Sequence, residues 1–223
     1  METDYSTISD EIFVSKIREY AGFTIQHNLP DRVFSEYYIK NMLVPLLPSV
    51  SQSIKEEMKD PERKEEIRLT DRHWEFFGIP QLFKVKPGKY YYPAEYSDGN
   101  VPYISATNVD NGISCLIDID PDFRGNVITN EKVNCCAFYQ PVSFCATSDV
   151  NVLTPLEGTR MNPFIGLFIA TVINFNENYR WNYGRQCRKN DTEKIRIRLP
   201  VTENGTPDWT FMEDYIKSLP YSL

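Results

Sequence analysis

The chain is 223 residues long, with 41% hydrophobic and 25% charged residues. That length and balance fit a globular protein with a real core, built as one large domain or two small ones. The net charge of −7 argues against a nucleic-acid binder that works through overall positive charge, so any such role must rest on a local patch.

The first ten residues are polar and acidic, and no signal peptide is visible in them. Residues 1–69 read as helical. Ser9 can cap a helix with Ile12, Phe13, Ile17, Tyr20 and Ala21 on one face. A second helix carries Val33, Phe34, Tyr37, Tyr38 and Met42 and stops before Pro45 and Pro48. In the charged stretch "SIKEEMKDPERKEEIRL", Asp60 and Pro61 restart a helix after a break. It reads as a solvated helix, or as a spacer that docks on a partner.

From Asp71 the character changes. Short runs of aromatic and β-branched residues alternate with Gly, Asn, Asp and Pro. Strands are predicted at Ile79 to Val85, Val101 to Thr107, Gly112 to Ile119, Ala137 to Ala146 and Lys194 to Val201. "PGK" at 87–89, "SDGN" at 97–100 and "DNG" at 110–112 are turn signals. Asn162-Pro163 opens a helix to about Asn174, and Thr206-Pro207 opens another to about Ser218. The apolar run "FIGLFIATVI", Phe164 to Ile173, is half the ~20 residues that span a bilayer and reads as a buried element. The expected organisation is a helical spacer or docking region over 1–69 and an α+β domain over 70–223, with no membrane partner.

Five cysteines stand at 115, 135, 136, 145 and 187. The odd count and the adjacent Cys135-Cys136 pair fit no zinc spacing, so they read as reduced, mostly buried thiols of a cytoplasmic protein. No Gly-rich phosphate loop and no nucleophile elbow is present. The two histidines, His27 and His73, have no spacing that suggests a triad; His73 reads as a structural neighbour of Trp74. Asp31 with Glu62, Arg63 and Lys64 has the residue types of a metal-dependent nuclease, but the Glu-x-Lys opens a charged helix rather than lying on a strand. No catalytic residue, metal or cofactor is therefore expected.

Local charge is more informative. Arg180, Arg185, Arg188, Lys189, Lys194, Arg196 and Arg198 stand against only Asp191 and Glu193, seven bases to two acids and a net +5. Tyr179, Trp181 and Tyr183 interleave with them, and Asn174, Asn176, Asn178 and Asn182 add amides. Such side chains suit phosphates and base edges. Arg196 and Arg198 alternate with Ile195, Ile197 and Leu199, the pattern of a one-sided strand. Arg180, Arg185, Arg188 and Lys189 lie in a loop and are expected to contact nucleic acid. Lys86 and Lys89 flank Pro87-Gly88 and suit phosphate, although exposed lysines are commonly just solvated. Asn108 and Asn111 either meet bases or bond their own turn. Tyr90, Tyr91 and Tyr92 either pack a loop, the expected reading, or approach DNA; Trp74, Phe76 and Phe77 are expected to anchor the core, and Trp209, Phe211 and Met212 to pack the last helix.

Five segments taken together resemble the target-recognition domain of restriction-modification specificity subunits, of type I and related bipartite-site systems. They are "WEFFGIPQLFKVKPGK" (74–89), "DGNVPYISATNVDNGIS" (98–114), "VITNEKVNCCAFYQPVSFCATSDVNVLTP" (127–155), "NPFIGLFIATVINFNENYRWNYGR" (162–185) and "IRIRLPV" (195–201). The resemblance covers about residues 71–218. It implies a twisted, mostly antiparallel sheet with flanking helices that reads DNA and performs no chemistry. It implies double-stranded DNA as ligand, an adenine methyltransferase subunit as partner and, in full systems, a restriction subunit. The residues assigned to DNA are Lys86, Lys89, Thr107, Asn108, Asn111, Tyr179, Arg180, Tyr183, Arg185, Arg188 and Lys189. Type I subunits carry two recognition domains and this sequence carries one, so it resembles a half-subunit. Two copies pairing through the N-terminal helices would read an inverted, two-part site. Two alternatives stay open: an interaction protein that binds a methyltransferase without reading DNA, and the C-terminal part of a fused methyltransferase.

Overall fold

The computed structural model describes residues 67–219. The helical region expected over 1–69, the dimer contacts assigned to it and the Asp31/Glu62 motif lie almost wholly outside the described residues.

A 3-10 turn at Leu69–Asp71 leads into β1 (His73–Gly78), α1 (Ile79–Leu82) and β2 (Phe83–Pro87). Then come β3 (Asp98–Ile104), β4 (Ile113–Ile117), β5 (Val127–Glu131), β6 (Ala137–Gln140), β7 (Cys145–Ala146) and β8 (Val150–Pro155). Helix α2 (Pro163–Glu177), helix α3 (Lys189–Thr192), β9 (Arg196–Val201) and helix α4 (Trp209–Ser218) complete the domain. The strands form sheets ordered β1-β9, β2-β8-β5-β6 and β4-β3-β7. All ladders are antiparallel except β3 with β7. The expected α+β class with a mostly antiparallel sheet holds.

The strand expected at Val101 to Thr107 begins at Asp98, inside the stretch expected as a turn, and ends at Ile104, and two other predicted strands are interrupted. The run Ile79 to Val85 is split: Pro80 at the start of α1 and Gln81 Oε1, which accepts from Gly78 N at 2.6 Å, favour one helical turn before β2 begins. Ala137 to Ala146 is split too, because β6 and β7 belong to different sheets.

The apolar run becomes α2, which is buried on nearly every side. Asn162 caps it by accepting from Ile165 N at 2.9 Å, and Pro163 stands at its first position. In its first turn, Gly166 lies against Tyr139; a Cβ there would come 2.2 Å from the Tyr139 ring. Near its end, Asn174 clips the start of β6 twice, accepting from Ala137 N at 2.6 Å and donating to Ala137 O at 2.8 Å. The helix is thus fixed to the sheet along its length. Burial pushes the Tyr139 hydroxyl pKa up to about 12.

The other face of α2 meets Trp74 and α4. Trp74 stacks on Phe168 at 5.9 Å between ring centres and donates to Leu69 O at 2.9 Å. Asp208 caps α4 by accepting from Phe211 N at 2.9 Å, two residues after the predicted opening at Thr206. Phe211, Met212, Tyr215 and Ile216 form its buried stripe. Ile197, Leu199 and Val201 of β9 point inward. Arg196 and Arg198 lie outward over the Phe76 ring, at 4.9 and 5.4 Å from its centre. These two arginines are the outer face of a strand, as their alternation predicts. All five cysteines are free thiols; four are buried and Cys115 is half-buried.

Candidate nucleic-acid interface

The basic segment leaves the end of α2 through a buried carboxylate. The Glu177 side chain is 1% exposed. It accepts from Asn176 Nδ2 at 2.8 Å, Arg180 Nη1 at 3.1 Å and Trp181 Nε1 at 2.8 Å. A buried charge is tolerable only with such partners, and here they fix the direction of the loop. Asn182 and Arg185 then exchange both backbone hydrogen bonds, at 3.2 and 2.9 Å, and Asn182 Oδ1 accepts from Gly184 N at 2.8 Å. This tight hairpin carries Tyr183 at its tip, 85% exposed, beyond Tyr179 at 60%. The Arg185 guanidinium lies 5.1 Å from the centre of the Trp181 ring. Stacking of this kind orients the plane of an arginine and leaves its N–H fork at the edge for two-point bonding.

Four loops are laced together at one end of the β2-β8-β5-β6 sheet. Gly88 N donates to Val150 O at 2.9 Å and Lys89 N to Ala146 O at 2.8 Å. Lys132 N donates to Asp149 O at 2.9 Å, and Cys187 N to Lys132 O at 2.7 Å. Gly88 is required by the close approach, since a Cβ would sit 2.3 Å from Thr147 O. The lacing brings Lys89, Lys132 and Arg188 to the same end of the sheet. Lys132 was not legible as a member of this group: it is an isolated lysine in sequence, and only the ladder of loops places it. It pairs with Asp149 at 3.7 Å and bonds Ser148 O.

The candidate cations differ in how far they are engaged. Arg185 and Arg188 are exposed. Arg180 pairs with Glu177, and Lys189 with Glu193 at 2.5 Å. Lys86 is exposed and lies 5.7 Å from the centre of the Phe123 ring. Lys89 Nζ is 4.4 Å from the centre of the Tyr91 ring and 3.3 Å from its hydroxyl. That hydrogen bond raises the lysine pKa above its ordinary value.

The 107–111 turn is less open than expected. Asn108 is exposed, and Thr107 is half-buried with its hydroxyl accepting from Val109 N at 3.4 Å. Asn111 is the correction: it is 1% exposed and faces the sheet, not solvent. Its Nδ2 donates to Tyr139 O at 3.1 Å and to Gln140 Oε1 at 3.2 Å, and Gln140 Nε2 donates back to Asn111 O at 3.0 Å. Its φ of 54° is a conformation asparagine tolerates better than most residues. The three tyrosines also divide. Tyr91 packs inside, whereas Tyr90 and Tyr92 are 50% and 67% exposed, edge to face at 5.2 Å. Residues 90–123 hold six acids, Glu95, Asp98, Asp110, Asp118, Asp120 and Asp122, and no Lys or Arg. Charge is therefore segregated, with a basic 180–189 segment and an acidic β3–β4 side.

An α+β domain that projects an arginine- and tyrosine-bearing hairpin from a buried helix has the form of a recognition domain. The chain belongs to the family of the type I restriction modification DNA specificity domain, whose sequence profile matches residues 71–220. It is 30% identical over 151 residues to the specificity subunit S.BcgI of the type II restriction enzyme BgcI from Heyndrickxia coagulans, covering 66% of this chain and 44% of that protein. The fold is also that of the S subunit of a type I restriction-modification system from M. genitalium, with a TM-score of 0.50 and 11% identity over 93% of this chain and 50% of that one. The chain thus spans about half the length of these relatives. Among the described residues, no group of three or more His, Cys, Asp or Glu could hold a metal ion. No helix among them is long and apolar enough to cross a membrane.

Proposed function

We propose that the chain is a DNA specificity subunit of a restriction-modification system. It reads double-stranded DNA through the 179–189 segment and directs an adenine methyltransferase subunit, and in a full system a restriction subunit, to the site. The observation that carries this is the overlap of two things: the family match over 71–220 contains a net +5 segment whose Arg185, Arg188 and Tyr183 all face solvent. Arg185 and Arg188 supply phosphate or guanine contacts, Tyr179 and Tyr183 stack or fill a groove, and Lys86, Lys89, Thr107 and Asn108 form a second rim. Asn111 belongs to the scaffold of that rim. The subunit itself carries out no chemistry in this reading. Two copies related by a two-fold axis would present the reader twice.

The test is selection from a random duplex library by the full chain at low salt, together with co-purification against a co-expressed adenine methyltransferase. A sequence motif and a stable complex are expected. A complex without any enriched sequence would favour the second reading, an interaction protein that captures a methyltransferase, which the acidic 90–123 side and the −7 net charge support.

A further inference from the structure

Two asparagines buried on the two central strands of a sheet need a physical reason, because an amide taken out of water is costly unless its hydrogen bonds are replaced. Asn130 on β5 and Asn151 on β8 are 1% and 0% exposed and stand directly opposite each other in the ladder. Both donate to one acceptor, the buried Thr192 hydroxyl at the end of α3, at 3.2 and 3.0 Å. Asn151 also donates to Cys187 O at 3.2 Å, and Asn130 lies 3.3 Å from Cys135 Sγ and 3.8 Å from Cys187 Sγ. Cys187 and Thr192 are the two ends of the short stretch that carries Arg188 and Lys189. Both ends are thus tied to the same pair of side chains, on the two central strands at the end of the sheet where the loops meet.

The sheet side of the tie is itself rigid. Glu131, next to Asn130, is 4% exposed and accepts from Val133 N, Asn134 N and Cys136 N at 2.6, 2.6 and 3.1 Å. Asn174 of α2 fixes the following Ala137. The turn that receives Cys187 N is therefore held from both sides.

We propose that Asn130, Asn151 and Thr192 are positioning residues for DNA recognition: they clamp the two ends of the 187–192 stretch and so fix where Arg188 meets the duplex. This rests on the DNA-reading function proposed above. It predicts that loosening the clamp blurs which sequence is bound more than it weakens non-specific attraction, since charge is unchanged while geometry is lost.

Two readouts on the full chain test it. The first needs no DNA: hydrogen exchange of the backbone amides of Asp191, Thr192 and Glu193. Thr192→Val and Asn151→Ala should speed their exchange by about tenfold, the factor implied by one lost buried hydrogen bond. Thr192→Ser, which keeps the hydroxyl, should restore protection. Thr171→Val, which removes a buried hydroxyl bonded only within α2, should leave these amides unchanged. The second readout is the motif enriched from a random duplex library: broadened by Thr192→Val and Asn151→Ala, preserved by Thr192→Ser and Thr171→Val. Unchanged exchange at 191–193 in a folded Thr192→Val protein overturns the clamp. Faster exchange with an unchanged motif overturns its role in recognition. Failure of the unaltered chain to enrich any sequence counts against DNA reading itself, and the exchange result still judges the clamp.

Discussion

Asn111, in the turn before β4, and Gln140, at the end of β6, hold each other: the Asn111 amide donates to Gln140 Oε1 at 3.2 Å, and Gln140 Nε2 donates to Asn111 O at 3.0 Å. Its neighbour Asn108, three residues earlier in the same turn, is exposed. The two asparagines should therefore respond differently to truncation. Asn111→Ala leaves buried partners unpaired and strains a positive φ, and should cost about 1–3 kcal/mol of stability. Asn108→Ala should stay within about 0.5 kcal/mol. Urea unfolding of both variants measures the difference; equal, small losses would show that the Asn111 contacts contribute little.

Arg180 and Arg185 should also separate. Removing Arg180 takes one partner from the buried Glu177 carboxylate, so Arg180→Ala should destabilise the fold as well as weaken DNA binding. Arg185→Ala removes an exposed cation stacked on Trp181 and should lower DNA affinity with little change in the unfolding midpoint. Thermal unfolding beside fluorescence anisotropy on a labelled duplex distinguishes the two.

Gly166 allows α2 to lie on Tyr139. Gly166→Ala places a methyl group 2.2 Å from that ring, so helix and sheet must separate. Overpacking of this size should cost about 1–3 kcal/mol, despite the better helix propensity of alanine. A denaturation midpoint equal to that of the unaltered chain would mean that the ring yields at no cost.

Glu213 gives the fold a pH dependence on the acid side. Burial alone would raise its pKa, but hydrogen bonds from Lys217 and Asn162 and the charges of Lys217 and Arg160 outweigh burial and lower it. A carboxyl whose folded pKa lies below its unfolded value of about 4.3 stabilises the fold above that value. The contribution fades as pH falls through the lower folded value. Glu213→Gln should therefore be less stable than the unaltered chain at pH 7, with the gap closing as pH falls below the ordinary carboxylate range. A gap of constant size across that range would assign the effect to packing.

Much of the fold is legible in the sequence because it rests on local signals. Asn162-Pro163 announces α2, and the Arg-Ile alternation of 195–199 announces β9 and the outward face of its arginines. The site is legible only where charge clusters in sequence, as it does at 180–189. Asn130, Asn151 and Lys132 were missed because each stands alone in the sequence; they meet Thr192, Cys187 and Asp149 only through pairing between distant strands and loops. Asn111 misleads for a related reason. In a turn rich in Asn, Asp and Gly, nothing local tells an inward amide from an outward one. Of the three tyrosines expected to pack a loop, only Tyr91 is buried, and its backbone N–H donates to Tyr103 Oη at 2.9 Å.

The proposed reading of DNA sequence rests on the exposed basic hairpin and the arginine that follows it. The most direct measurement is enrichment from a random duplex library by the full chain, in parallel with the Arg185→Ala/Arg188→Ala double variant, at several salt concentrations. A defined motif is expected for the unaltered chain and its loss in the double variant, with a salt slope lower by up to about two phosphate contacts and an unchanged unfolding midpoint. An identical motif in the double variant, or no motif in either, would contradict it.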